Sequence, residues 1–182
     1  SELLGTQVPL DREFPLLLKI LDAQDVLSVQ VHPGDEFAAE YEDSQGKTEV
    51  WYVLNAKPGA KIIYGLKPGI SRQSFAIALN RGEVEECLNQ VEVEPGDVYS
   101  VSSGMVHALG AGVMVAEFAQ NSDSTYRVFD WNRLDTQGKP RPLHIDRALQ
   151  VIDFFSTPPQ RVRANLGQER QVLTENNYFS LE

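Results

Sequence analysis

The chain has a single cysteine, Cys87, so it closes no internal disulfide and nothing in it calls for an oxidising compartment. It is also short of positive charge, with 16 lysines and arginines against 26 aspartates and glutamates, a formal net charge of −10. That balance argues against nucleic acid and against an anionic membrane surface as partners. It leaves room for a small anion, because a site can be locally basic within an acidic protein. Long apolar runs are missing too: the most apolar stretch, 14–21, is interrupted by Lys19 and is too short to span a bilayer. Residues 1–5 (S-E-L-L-G) lack the basic and apolar regions of a signal peptide, and the expectation is a soluble, cytoplasmic protein. No low-complexity tract or solenoid-type repeat is visible. With 182 residues, 42% of them hydrophobic, one domain with a real core is the default.

What the chain does have is short apolar segments punctuated by turns. Strands are expected over 14–22, 27–32, 48–55, 60–65, 90–94, 98–101, 112–120 and 126–131, and the chain end cuts another short at 177–181. Turns are expected at Lys57-Pro58-Gly59, Pro95-Gly96-Asp97 and 135–139. Helical spacing occurs in three places. In 35–43, Phe37 and Tyr41 share a face and Asp35 is placed as an N-cap. In 71–90, Phe75, Ala78 and Leu79 share a face and Gly82 suits a helix end, while Val84, Cys87 and Leu88 suit a second short helix. In 143–154 the face is Leu143, Ala148, Leu149 and Ile152. Residues 156–170 read as a polar, proline-bearing loop. The expected fold is therefore mainly β, a sandwich or barrel of the jelly-roll kind with helical insertions.

One strand breaks the usual pattern. Alternation over 27–32 puts Leu27, Val29 and Val31 on one face and Ser28, Gln30 and His32 on the other. By the same rule Lys47, Glu49 and Trp51 share a face. A serine, an amide, an imidazole, an ammonium and a carboxylate can then point into one interior, with the polar set inward. The Pro95–Gly96 turn, a short apolar strand and the Gly104 turn return a second imidazole, His107, to the same interior.

Gln30, His32, Glu49 and His107 make a donor set of two nitrogens and two oxygens. Such a set suits zinc first, with iron, manganese and nickel as alternatives. Taken singly, His32 or His107 reads equally as a hydrogen-bonded structural residue; their joint pattern carries the ligand reading. His144, at the start of a helical stretch, reads as a capping or surface residue. Glu117 is a carboxylate on an otherwise apolar strand, so either it reaches the site and meets a cation or that strand end is exposed. Asp123 and Arg127, four apart, suit a surface ion pair as well as a functional one.

The pattern Gly96, five residues, Ser102, Gly104, two residues, His107 resembles the second cupin motif, with serine where proline is usual. Gln30-Val31-His32 followed by Glu49 resembles the first, with glutamine for its first histidine and a helix inserted before the glutamate. Together with F-P-L-L-L-K-I-L-D, L-S-V-Q-V-H-P, G-K-T-E-V-W-Y, P-G-D-V-Y-S-V-S-S-G-M-V-H-A and Q-N-S-D-S-T-Y-R, the chain resembles type I mannose-6-phosphate isomerases in their short bacterial form. These runs cover 14–155. The resemblance implies a zinc-dependent cupin with one Zn2+ per chain, held by Gln30, His32, Glu49 and His107. It implies Arg127 as the active-site arginine, with Asp123 nearby, and Lys47 as the active-site lysine. Lys19 and Ser28 would lie near the substrate phosphate, with Arg133 as a further phosphate-binding cation. Longer family members carry a histidine immediately before that lysine, where this chain has Gly46. The resemblance also implies a catalytic jelly roll over 1–155, with its helical insertion at 71–90, then a linker and the start of a further β segment over 156–182. Family members extend in both directions, so the chain is expected to be partial.

The implied reaction interconverts mannose 6-phosphate and fructose 6-phosphate through a cis-enediolate. Lys47 and Arg127 would add positive charge where negative charge develops. The proton carrier is left open among Glu117, Asp123 and Lys47, the last if neighbouring cations lower its pKa. Two other readings stand beside it: a metal-bearing cupin that senses a sugar phosphate without turning it over, and, less well matched, an iron oxygenase. The expected partner is a small sugar phosphate, with no nucleic acid and no membrane, and the oligomeric state is left open.

Overall fold

The computed structural model describes residues 14–165 and 167–182; the stretch 1–5, read above as lacking the features of a signal peptide, lies outside them. In chain order the strands are β1 (Leu16–Ala23), β2 (Val29–Val31), β3 (Glu49–Ala56), β4 (Lys61–Leu66), β5 (Leu88–Glu92), β6 (Asp97–Val101), β7 (His107–Leu109), β8 (Val113–Gln120), β9 (Tyr126–Phe129), β10 (Val162–Arg163), β11 (Thr174–Glu175) and β12 (Ser180–Leu181). The helices are α1 (Asp35–Tyr41), α2 (Arg72–Arg81) and α3 (Ile145–Val151), with a 3-10 turn at Val84–Cys87. Two five-stranded sheets form, ordered β1-β8-β3-β6-β10 and β5-β4-β7-β2-β9, and β11 and β12 make a separate hairpin. Every pairing in them is antiparallel.

The sheets pack face to face. Trp51, Val53, Tyr99, Val101 and Val115 of the first share one buried cluster with Ile62, Tyr64 and Leu109 of the second. The fold is mainly β and of the expected jelly-roll kind.

The polar-inward strand has a clear cause. Val29 and Val31 of β2, Ala108 of β7 and Val128 of β9 face outward, but they are covered: Phe75 and Ala78 of α2 and Ala148 of α3, with Ile152 just beyond it, bury them in a second cluster. Burial of those apolar side chains is satisfied outside the sandwich, so the other face of the same sheet is free to present Ser28, Gln30, His32 and His107 to the interior.

Local signals set the roof helices. Ser71 caps α2 in a reciprocal capping box with Ser74, and Gly82 ends it in the left-handed conformation, φ 70°. Several expectations need correction. Asp35 is the first residue of α1 rather than its cap: Gly34 holds the N-cap position, and the Asp35 carboxylate accepts instead from the Gly46 N–H, from Gln120 and from Tyr178. Leu88 belongs to β5, because the 3-10 turn stops at Cys87. Within the expected 156–170 loop, Val162 and Arg163 pair with Val98 and Asp97, and Arg161 reaches the fully buried Asp97 carboxylate at 3.1 Å. The 177–181 strand is a hairpin instead, in which Asn176 and Tyr178 take the turn between β11 and β12. Among the described residues no helix is long and apolar enough to cross a membrane.

Candidate active site

His32, Glu49 and His107 come from three strand ends and meet in the sandwich interior, all essentially without solvent contact. His32 Nε2 lies 3.3 Å from Glu49 Oε2, and His107 Nε2 lies 3.5 Å from Glu49 Oε1. Backbone carbonyls fix both tautomers. The Nδ1–H of His32 donates to Ser124 O at 2.9 Å, and that of His107 donates to Met105 O at 2.8 Å. In the neutral rings each Nε2 therefore carries a lone pair, aimed at a carboxylate oxygen. Burial pushes the His107 imidazole down to about 4, which keeps it neutral at pH 7. Burial works against ionisation of Glu49 too, but His32, His107 and Lys47 offset it and hold that carboxyl below the usual range.

Among the described residues both imidazole Nε2 atoms and both Glu49 oxygens are buried without a hydrogen-bond partner, apart from the ion pair that Lys47 makes with Glu49 Oε2 at 3.1 Å. Lone pairs facing lone pairs in a dry interior are costly unless a cation lies between them. An ion bound tetrahedrally to nitrogen and oxygen donors at about 2.0–2.2 Å holds them roughly 3.3–3.5 Å apart, which matches the two imidazole–carboxylate separations here. The three donor atoms lie within 4.8 Å of one another, so this buried group could hold a metal ion. Gln30, half-buried on β2, pairs directly with His107 across the sheet and so shares its face.

A row of inward side chains crosses the opposite sheet, where Lys19 pairs with Glu117, Glu117 with Trp51 and Trp51 with Tyr99. Glu117 is 5% exposed and meets two cations, Lys47 at 3.5 Å and Lys19 at 3.6 Å, so it is the inward alternative that holds. Lys47 also lies 3.1 Å from Glu49 Oε2. Burial disfavours its charge, but Glu49 and Glu117 outweigh that and raise its pKa. Its neighbours are thus carboxylates, the reverse of the surroundings in which it would act as a base. The Trp51 ring stands edge-on to His107 at 5.5 Å, and its buried Nε1–H has no partner among the described residues.

Beyond Gln30 lies a basic cluster. Arg127 of β9 pairs with Gln30 on the side away from His107, which puts it two strand spacings, about 10 Å, from the imidazole. Its Nε donates to Ser28 Oγ at 3.4 Å and its NH1 to Pro142 O at 2.9 Å. Its backbone N–H donates to His144 Nδ1 at 3.0 Å. Arg133 donates to Val26 O and to Asp130 Oδ1, both at 2.5 Å. Arg141 binds Asp130 through two nitrogens, Nε to Oδ2 at 2.7 Å and NH2 to Oδ1 at 2.5 Å. These contacts, Arg141 foremost, hold the Asp130 carboxyl down at about 2.

Comparison with known proteins gives this geometry a context. Residues 1–62 match the family described as phosphomannose isomerase type I, catalytic domain. Mannose-6-phosphate isomerase ManA of Bacillus subtilis (strain 168) is 44% identical over 173 residues, 92% of this chain and 54% of that protein. The mannose-6-phosphate isomerase of Streptococcus mutans is 43% identical over 171 residues, again 92% of this chain and 54% of that protein. The crystal structure of the mannose 6-phosphate isomerase from Bacillus subtilis superposes with a TM-score of 0.85 at 39% identity, covering 95% of this chain and 56% of that one. The chain is thus similar to type I phosphomannose isomerases over most of its own length. It spans about half the length of the curated relatives it matches. A mannose 6-phosphate isomerase bound with zinc and yttrium shares the fold at a TM-score of 0.54 and 18% identity, covering 80% of this chain and 56% of that one.

Of the residues that resemblance to type I phosphomannose isomerases singles out, the structure brings His32, Glu49 and His107 into contact and puts Gln30 on the face of His107. Lys47 and Glu117 adjoin them, and Ser28 and Arg127 touch each other. Lys19 reaches the group only through Glu117. Asp123 stands exposed, and among the described residues no ion pair joins it to Arg127. Arg133 is turned to Asp130, with Asp25 at 3.9 Å. His144 sits at the N-cap position of α3 without capping it; its ring holds Arg127 instead.

Sequence reasoning passed over Asp130 and Arg141, although two arginines and an aspartate following Arg127 were a visible signal. It also passed over the Ser124 and Met105 carbonyls, which no side-chain pattern announces. Gly46, the position where longer type I members have histidine, is explained by space: a Cβ there would lie 2.5 Å from both Asp35 N and Gly34 C.

Proposed function

We propose that this chain carries the active site of a zinc-dependent mannose-6-phosphate isomerase. The observation that carries the reading is the set of buried donor atoms of His32, Glu49 and His107, facing one another beside Lys47, with Arg127 two strand spacings from His107. Its relatives of more than 40% identity bear that enzyme's name, and a structure of like fold is bound with zinc. Gln30, His32, Glu49 and His107 would hold one Zn2+, which supplies Lewis-acid polarisation of the substrate carbonyl when bound.

The remaining work falls to the chain's own side chains. Lys47, kept charged by Glu49 and Glu117, and Arg127 set positive charge around the oxygens on which the cis-enediolate charge develops. Of the carboxylates considered, Glu117 lies inside the site and Asp123 on the surface, so Glu117 is the assigned carrier of the C1–C2 proton. Ser28, Lys19 and Arg133 take the phosphate and so orient the reacting carbons. The setting is a soluble enzyme of the cytoplasm.

The test is a coupled assay with mannose 6-phosphate, run before chelation, after it, and after zinc is restored. Activity should vanish and return, and activity indifferent to metal removal defeats the reading. Arg127→Ala should lower turnover about a hundredfold or more with zinc still bound; unchanged turnover removes Arg127 from its role.

A further inference from the structure

Two guanidiniums, those of Arg133 and Arg141, bind one buried carboxylate, Asp130, and a third, that of Arg127, lies beside them on Pro142 O, at the edge of a protein whose formal net charge is −10. Arg141 and Arg133 are close enough to Arg127 to disfavour its protonated form, after the larger effect of burial. Among the described residues Arg127 has no carboxylate partner of its own; its guanidinium is held by a hydroxyl and a carbonyl, Ser28 Oγ and Pro142 O. Three like charges drawn together near Asp130, with only the exposed Asp25 besides it among the described residues, at 3.9 Å from Arg133, leave a local excess of positive charge, and an anion completes such a cluster.

The geometry also says which arginine is free to reach. Asp130 takes Arg141 along the Nε–NH2 edge, in a fork that fixes the plane of the guanidinium. A guanidinium has five N–H donors, and that edge leaves the NH1 end of Arg141 without a partner among the described residues. Arg133 spends its NH1 on Val26 O and its NH2 on Asp130. Arg141 is 43% exposed in its side chain against 29% for Arg133, so Arg141 is the more open of the two.

We infer that Arg141 is an unassigned phosphate-binding arm of this site, and that Asp130 is the positioning residue that aims it. The assignment rests on the isomerase reading for the identity of the substrate but not for the presence of a phosphate site. Ser28 and Arg133 line the phosphate, Arg141 closes it from the solvent side, and Arg127, bonded to Ser28, stands between the phosphate and the reacting carbons.

The experiment uses metal-replete protein and two readouts. In the isomerase assay, Arg141→Ala raises KM for mannose 6-phosphate about tenfold or more while kcat stays within about threefold. Arg141→Lys recovers only part of the loss, because the ammonium lacks the fork. Asp130→Asn moves KM in the same direction with bound metal unchanged. Arg81→Ala, an exposed arginine on α2, is the control and changes neither constant. Calorimetry with inorganic phosphate gives the second readout without turnover: binding by the wild type weakens by a similar factor in Arg141→Ala. If the wild type binds phosphate, Arg141→Ala weakens it and no isomerisation occurs, the inference stands and the isomerase reading falls. If Arg141→Ala leaves both KM and phosphate affinity unchanged, or lowers kcat alone, the inference falls and the isomerase reading stands. Should Arg141→Ala fail to fold, the Arg141→Lys values decide, and phosphate affinity equal to wild type overturns the assignment.

Discussion

The ring of His144 accepts a hydrogen bond from the backbone N–H of Arg127 at 3.0 Å, while the His144 N–H donates to the Arg127 carbonyl at 2.8 Å. The two residues are clamped to each other as strand neighbours are, although His144 lies at a helix start. His144→Ala keeps one of these bonds and loses the other. We expect kcat/KM to fall about fivefold with metal content unchanged, as the arginine loosens. Metal analysis and steady-state kinetics on one preparation check this, and an unaltered kcat/KM rules out a positioning role for His144.

Removing a ligand should be visible without any assay of turnover. His107→Ala leaves two of the three buried donors, and bound metal should drop from about one equivalent to near zero. For the wild type, a chelator should lower the melting temperature, since an ion that binds only the folded chain stabilises it by mass action. Elemental analysis and thermal scans with and without chelator give both results. A chelator-insensitive melting temperature with no metal in the purified protein speaks against a metal centre.

Gly46 is predicted to tolerate no side chain. The 2.5 Å approach of a Cβ to Asp35 N and Gly34 C is to backbone atoms, which cannot swing aside. Gly46→Ala should therefore cost about 2 kcal/mol or more, and restoring the histidine of longer relatives, Gly46→His, should cost more. Urea unfolding of the two variants measures this; a neutral Gly46→Ala shows that the α1 start and the 45–48 loop can part.

The Asp130 cluster gives a pH dependence with a definite sign. Its carboxyl is held at about 2, first by Arg141, against an ordinary value of 3.8. A depressed folded-state pKa contributes stability that is present above the unfolded value and is lost as pH falls from there towards the folded one. The stability difference between wild type and Asp130→Asn should accordingly be level from pH 7 to about 5 and shrink between about 4 and 2. Unfolding curves at several pH values test it, and a difference that stays constant to pH 2 contradicts the ion-pair account.

The His32–Glu49–His107 group and the inward face of β2 were legible because strand alternation is strict: Gln30 and His32 must share a side whatever surrounds them. The reason for the inversion was less so, since nothing in 27–32 says that α2 and α3, far along the chain, will cover Val29 and Val31. Asp35 shows the limit of local rules. An aspartate before a helical stretch reads as a cap, but its carboxylate is taken by Gly46, Gln120 and Tyr178, up to 143 residues away, and tertiary partners win over the local one. β10 escaped notice because two residues carry no periodicity; its place is set by Asp97, whose buried charge needs Arg161.

With α2 and α3 laid over one side of β2, neighbouring positions along a single strand answer to different selective demands. Val29 and Val31 are anchors for the folded state, and changes there should show in melting curves before they show in turnover. Gln30 and His32, one step along in each case, should show the opposite order. Chemistry on this strand can therefore drift, exchanging one donor type for another, without the scaffold having to be rebuilt each time.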